Sequence, residues 1–233
     1  MKKKMLTVLL AAAMTVSLAG CGSKDADKKD NVSVQNTENA KSDNGSDRTQ
    51  FVVGFDAEFP PYGYMDEDGD YTGFDLELAQ EVCDRNGWEL VKKPINWDSK
   101  DMELESGSID CIWNGFTMNG REDNYTWSEP YMDNQQIFVV APDSGIKTLA
   151  DLKDKTVVLQ KGSSALDALE AKPELKASLK GEGPIQVANN VLALNDLGKG
   201  ANGGDAVIMD EVVAKYYTSH RDQLVKDTAS KAE

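Results

Sequence analysis

The chain has 233 residues, and its 25 Lys and Arg stand against 40 Asp and Glu, giving a formal net charge of −15. With 40% hydrophobic and 28% charged residues it has the composition of a soluble globular protein rather than a membrane bundle, and its acidity argues against binding nucleic acid through phosphate neutralisation. One His (His220) and three scattered Cys (Cys21, Cys83 and Cys111) argue against a multi-His metal centre, a His-based triad, a zinc cluster or a disulfide framework; no metal or cofactor is expected.

The chain opens on a basic stretch, Lys2, Lys3 and Lys4, followed by an apolar run from Met5 to Ala19. That run is short for a transmembrane helix, which needs about 20 apolar residues, and reads as an export signal over residues 1–20. Leu18-Ala19-Gly20-Cys21 resembles the lipobox of bacterial lipoproteins, which implies cleavage before Cys21 and acylation of its thiol, for instance with palmitate. The alternative is a plain secretory signal. Loss of the three lysines with the signal takes the charge from −15 to −18, so the mature body should stand off an anionic lipid surface. The segment up to residue 50 is rich in Ser, Asn, Asp, Lys and Gly and carries no aromatic residue after Cys21. Residues 21–50 are expected to form a disordered tether spanning on the order of 30 Å.

Phe51–Phe55 reads as the first strand, Glu58–Tyr62 with its two prolines as a loop, and Asp66–Asp70 as a solvated hairpin tip. From Phe74 the apolar positions Phe74, Leu78, Ala79, Val82 and Cys83 recur at helical spacing, with Phe74 and Leu78 expected against the sheet and Asn86-Gly87 as the stop. Short apolar runs then alternate with helical segments. The runs are Trp88–Val91, Ile109–Trp113, Gln136–Ala141, Thr156–Leu159, Ile185–Val187 and Ala206–Met209, and the helices centre near Met102, Leu149, Leu166, Leu192 and Val213. This alternation predicts an α/β protein with mostly parallel sheets. Cys83 and Cys111 read as buried thiols, although export would permit a disulfide. Ligands of open α/β sheets sit at the carboxyl ends of strands, which directs attention to residues 56–59, 114–121, 160–164 and Asp210.

Several stretches, in order and spacing, resemble the solute-binding proteins of family 3, the extracytoplasmic receptors of polar amino acid ABC importers. They include Gly73-Phe74-Asp75-Leu76-Glu77-Leu78, Phe59-Pro60-Pro61-Tyr62, Leu104 to Asp110, Gly115-Phe116-Thr117 leading to Arg121, Ser128-Glu129-Pro130-Tyr131, Gly162-Ser163-Ser164 and Asp205 to Asp210. The resemblance covers Phe51 to about Tyr217. It implies a two-lobed, type II periplasmic-binding-protein-like clamshell, with lobe 1 at 51–141, lobe 2 at 142–225 and a ragged C-terminus at 226–233. In the family the chain returns to lobe 1 after this point; here it ends at Glu233. The expectation is therefore a partial chain that lacks this C-terminal return and folds poorly, with apolar surface of lobe 1 uncovered.

The family's ligand residues carry over singly. Arg121 matches the arginine that holds the ligand α-carboxylate, a task for which a guanidinium offers two parallel donors; the alternative is a surface pair with Glu122 or Asp123. The stretch from Thr117 to Arg121 is one residue shorter than usual. Asp210 matches the carboxylate that receives the α-ammonium, with a helix N-cap as its alternative. Ser163 and Ser164 match a second carboxylate contact at a helix start, where Ser163 again has the N-cap alternative. Asn114, Gly115 and Thr117 would line lobe 1. Asp56, Phe59 and Trp97 would shape the side-chain pocket, the two rings sandwiching an aliphatic or cationic side chain, with plain core packing the alternative for Trp97. Gln160 would point in from lobe 2.

The resemblance thus implies a monomeric receptor for a polar or cationic amino acid. It would close around its ligand, dock on ABC permease subunits and be held to the outer face of the cell membrane through Cys21. An enzyme on the same fold, dehydratase-like, and a sensor domain are the competing readings.

Overall fold

A computed structural model describes residues 49–181, 183–199 and 203–220. The expected signal, Cys21, nearly all of the tether and the C-terminal tail lie outside these residues.

The chain begins with β1 (Gln50–Phe55), passes through the short strands β2 (Glu58–Phe59), β3 (Gly63–Met65) and β4 (Tyr71–Thr72), and enters α1 (Phe74–Asn86). There follow β5 (Glu89–Pro94), a 3-10 turn at Trp97–Ser99, α2 (Lys100–Glu105) and β6 (Cys111–Ile112). The first sheet has the order β5-β1-β6, all parallel. Parallel neighbours need a crossover, and α1 and α2 provide the two. Central β1 buries Val53 and Phe55 against Leu76 and Ala79 of α1.

Two local expectations change here. Glu58 and Phe59 were read as loop, but they pair antiparallel with Tyr64 and Gly63 before the prolines end the ladder. In α1 the inward face is Asp75, Leu76, Ala79 and Cys83; Phe74 is 43% exposed and Leu78 only half-buried. The backbone N–H groups of Phe74 and Asp75 donate to the carbonyls of Pro61 and Tyr62 at 2.9 and 3.0 Å, and this fixes the rotation of the first turn with Asp75 inward. Gly87, left-handed at φ 68°, caps the helix end as anticipated. Asp66 tightens the β3–β4 hairpin by accepting from the N–H groups of Asp68 and Asp70 at 3.0 and 2.9 Å.

The second sheet contains β7 (Gln136–Val140), β8 (Val157–Gln160), β9 (Ile185–Val187) and β10 (Ala206–Asp210) in the order β7-β10-β8-β9. β7 runs antiparallel to β10, and the other pairs are parallel. A lobe boundary at residue 141 would leave β7 in lobe 1, yet its whole ladder is made with β10; the chain crosses between the lobes before Gln136, through residues 113–135, which contain no helix or strand. Every residue of β8 and β10 is buried, as befits strands covered on both faces. Val157, Leu159, Ala206 and Ile208 face one core with Leu169 of α3 (Ser164–Glu170). Val158, Val207 and Met209 face the other, with Val191 of the helix Asn190–Asn195 and Val213 and Tyr217 of the helix Glu211–Ser219. Phe59 and Tyr62 of the first lobe join this second core. Cys83 and Cys111 form no disulfide; Cys83 is buried as expected, whereas Cys111 is only half-buried.

Gly73 permits the join between β4 and α1. Its φ is +128°, and a Cβ there would lie 2.4 Å from the carbonyl oxygen of Tyr62. Gly73→Ala is expected to lower the urea midpoint by the equivalent of about 2 kcal/mol; a midpoint equal to that of the parent chain would show that the join tolerates a side chain.

Candidate functional site

The carboxyl ends of β1 and β6 place Asp56 and Asn114 side by side, and the Asn114 side-chain oxygen accepts from the Asp56 N–H at 3.0 Å. Asp56 is itself buried, with one carboxylate oxygen accepting from the Glu58 N–H at 2.9 Å. Gly115 follows with φ +54°, and its N–H donates to the carboxylate of Asp75. The other Asp75 oxygen accepts from the Tyr131 hydroxyl at 3.0 Å. Asp75 is fully buried, and desolvation pushes its carboxyl up to about 6 despite those two donors. The sequence pattern put Phe74 and Leu78 of the Gly73–Leu78 motif against the sheet and gave Asp75 no role. The available signal was an acid in phase with Ala79 and Cys83, one and two turns along the buried face.

Thr117 and Arg121 stand on a tight turn in which the Arg121 N–H donates to the Met118 carbonyl at 2.8 Å and Gly120 takes φ +80°. The turn accommodates the shortened spacing, and Arg121 reaches back to donate to the Thr117 carbonyl at 3.2 Å. Its guanidinium lies 5.2 Å from the centre of the Phe116 ring and pairs at 2.9 Å with Asp167 of α3 rather than with Glu122 or Asp123. Trp97 also packs on Phe116, edge-on, with centroids 5.3 Å apart.

From the second lobe, Gln160 at the end of β8 donates to Asp56 at 2.7 Å and accepts from the Asn190 side chain at 3.0 Å. The Ser163 hydroxyl turns back to the Gln160 carbonyl at 2.7 Å and does not cap α3. Ser164 meets Thr117 across the cleft at 3.2 Å and Gln136 at 3.0 Å. Asp210, at the end of β10, is 5% exposed and does not cap the helix it precedes. It accepts instead from the side chains of Asn134 and Gln136. Burial raises its pKa, while those two donors and the charge of Arg121 act in the opposite direction.

The predicted residues therefore gather around the seam where the two sheets face each other, but Phe59 and Trp97 do not form the expected ring pair: Phe59 stacks on Tyr62 at 5.5 Å inside the second core, whereas Trp97 packs on Phe116. Cavities of about 300 Å³ beside Asp56, Trp97 and Asn189, and of about 410 Å³ beside Thr117, Gln136, Ser164 and Asp167, open along the seam.

Residues 51–181 match the family model of the Bacterial extracellular solute-binding proteins, family 3. This chain is a family 3 solute-binding protein. As such it is 29% identical to the arginine-binding extracellular protein of Bacillus subtilis (strain 168) over 224 residues, which cover 95% of this chain and 78% of the relative. Among solved structures, the binding protein resembles a histidine-bound ABC uptake transporter substrate-binding protein from Streptococcus pneumoniae, with 37% identity, a TM-score of 0.71 and coverage of 74% of this chain and 70% of that one. It also resembles an ancestral amino acid-binding protein described as a precursor of cyclohexadienyl dehydratase, with 30% identity, a TM-score of 0.65 and coverage of 73% and 74%.

Asp75 gives the binding protein a pH signature. Its folded carboxyl holds a proton up to about pH 6, against an ordinary value of 3.8, so between these values the folded state binds more protons than the unfolded one. Stability contributed at this position is greatest at low pH and declines as pH rises from about 4 to about 6, then stays level. Relative to Asp75→Asn, the parent protein is expected to lose about 2 kcal/mol across that window in urea titrations. A difference constant with pH would show that Asp75 does not titrate there.

Proposed function

We propose that this protein is the extracytoplasmic substrate-binding component of an ABC importer, that it takes a polar or cationic amino acid, and that it works by lobe closure without a covalent step. The observation that carries this reading is that residues expected to touch the ligand are those through which the lobes touch each other: Asp56 with Gln160, Thr117 with Ser164, and Arg121 with Asp167. An amino acid entering the cleft replaces these direct contacts with bridges through itself. Its α-carboxylate takes the Arg121 guanidinium from the half-exposed Asp167, and its α-ammonium meets Asp210, whose present donors are neutral amides. Because both lobes hold the ligand only when closed, binding shifts the population toward the closed form, which is the form presented to the permease subunits.

Relatives named for arginine and for bound histidine support an amino acid as the ligand class, and the family's extracellular character supports export of a signal at 1–20 and a tether at 21–50. We place the protein as a monomer on the outer face of the cell membrane through acylated Cys21, with no nucleic acid partner. Cys21→Ser is expected to move the protein from the membrane fraction to the medium or periplasm, and retention on membranes after this change would remove the anchor from the proposal.

Titration calorimetry against the twenty amino acids is the test of function, with at least one expected to bind. Arg121→Lys should weaken that ligand by about 10- to 100-fold, the scale of lost charge-assisted hydrogen bonds, and Asp210→Asn by a similar factor. Heat from none of the twenty would overturn the receptor reading, and full affinity in both variants would remove Arg121 and Asp210 from the site.

A further inference from the structure

Gln136 opens β7 and stands directly opposite Asp210, the last residue of β10, in the antiparallel ladder. Side chains opposed in this way share a face of the sheet. The Gln136 amide nitrogen donates to Asp210 Oδ1 at 2.8 Å and to the Ser164 hydroxyl at 3.0 Å, and Ser164 passes its own proton to Thr117 at 3.2 Å. These partners fix the orientation of the amide, because an oxygen turned toward Asp210 would set one acceptor against another. Gln136 Oε1 is thereby left shielded from solvent with no hydrogen-bond partner among the described residues. A buried carbonyl oxygen without a donor is costly, and here the demand is for an N–H.

The oxygen lies where an ammonium is expected. The nitrogen and oxygen of one amide are about 2.2 Å apart, so Oε1 lies within about 5 Å of Asp210 Oδ1, a span that a single nitrogen at ordinary hydrogen-bond length bridges. Gln136 also lines the cavity of about 410 Å³ at the seam with Thr117, Ser164 and Asp167. The side chains of Asn134 and Gln136 both donate to the same Asp210 oxygen, Oδ1. An α-ammonium brings three divergent N–H donors. Asp210 offers it charge, but one carboxylate with an oxygen already shared by two amides does not meet all three donors. Gln136 Oε1 is an adjacent acceptor with its capacity open.

We propose that Gln136 Oε1 accepts one N–H of the ligand α-ammonium beside Asp210, and that this makes the cleft selective for a primary ammonium over an N-alkylated one. The inference rests on the receptor reading and adds to it a contact residue and a selection rule. A methyl group on the nitrogen removes one donor, so either the Gln136 oxygen stays unpaired or the ammonium gives up a contact with Asp210. A glutamine that served only as an amide donor to Asp210 would impose no such rule, since its nitrogen does not touch the ligand.

The experiment begins with titration calorimetry of the parent protein against the twenty amino acids. The tightest binder and its Nα-methyl derivative are then titrated into the parent, Gln136→Met, Gln136→Val and Gln136→Glu, with thermal melts to show that each variant folds. The parent should favour the unmethylated form by about tenfold or more. Gln136→Met, which removes the oxygen, should weaken the unmethylated form by about tenfold and reduce the preference to about threefold or less. Gln136→Val makes the same test should the Met variant be unstable. Gln136→Glu keeps an acceptor at this place and gives up the amide donor, the two acids sharing a proton, so it should retain the preference. A parent preference below about threefold, tightest binding of proline with its two N–H donors, an unaltered preference in folded Met and Val variants, or a Glu variant that loses the preference as they do would each overturn the role of Gln136 and leave the receptor reading intact. Binding of no amino acid at all removes the receptor reading itself.

Discussion

The Gln160 side chain stands at the centre of the molecule, giving its N–H to Asp56 of the first sheet and taking the Asn190 N–H with its oxygen. All three side chains are buried, so each depends on the others for the hydrogen bonds that water would otherwise supply. This chain of polar groups is possible only because β1 and β8 both end at the same seam, with their carboxyl ends directed at each other. The cleft is therefore not a gap left by poor packing. Its walls are strand ends that must find polar partners, and Asp56 and Gln160 find each other across it.

Such a seam is suited to exchange. A direct hydrogen bond between lobes contributes only about 1 kcal/mol net, because each group can be satisfied by another donor or acceptor of the same kind. The contacts Thr117–Ser164 and Arg121–Asp167 are of this replaceable type. Apolar contact is different: Phe59 and Tyr62 are embedded with Val158, Val191 and Tyr217, and opening there exposes hydrocarbon to water. The Tyr217 hydroxyl also donates to the Glu58 carbonyl at 3.2 Å. The β2–β3 region is thus the side of the cleft that resists separation, while the side around Arg121 and α3 is held by polar contacts that a ligand can substitute.

Sequence pattern made the sheets legible where burial is two-sided or strictly alternating. β8 and β10 stand out as continuous apolar runs, and Ile185–Val187 is bounded as the run predicts. β6 is shorter than the run Ile109–Trp113 because the Asp110 carboxylate, not a ladder bond, takes the Val52 N–H at 2.7 Å. What escaped was the set of polar residues that serve other residues. Asn134 and Gln136 reach Asp210 across 76 and 74 positions, and Asp167 reaches Arg121 across 46; no local spacing encodes such partners. Trp97 and Phe59 match a familiar pattern one by one, yet their ring partners, Phe116 and Tyr62, are set by tertiary packing.

The two buried acids divide the work in this region between holding its shape and, under the proposed function, receiving an ammonium. Tyr62 feels both Asp210 and Asp75, and together with its burial they push its hydroxyl up to about 12, so it remains a neutral donor throughout the physiological range. Asp75 is committed to the fold through Gly115 and Tyr131, whereas the side-chain donors to Asp210 are neutral amides from the interlobe segment and β7, with the charge of Arg121 acting on it as well. An ammonium at Asp210 would add the one interaction that neutral amides cannot, a full opposite charge in a desolvated place. The cost of keeping Asp210 buried is borne by the fold, and under the proposed function its relief on binding would be a source of affinity that requires no new apolar contact.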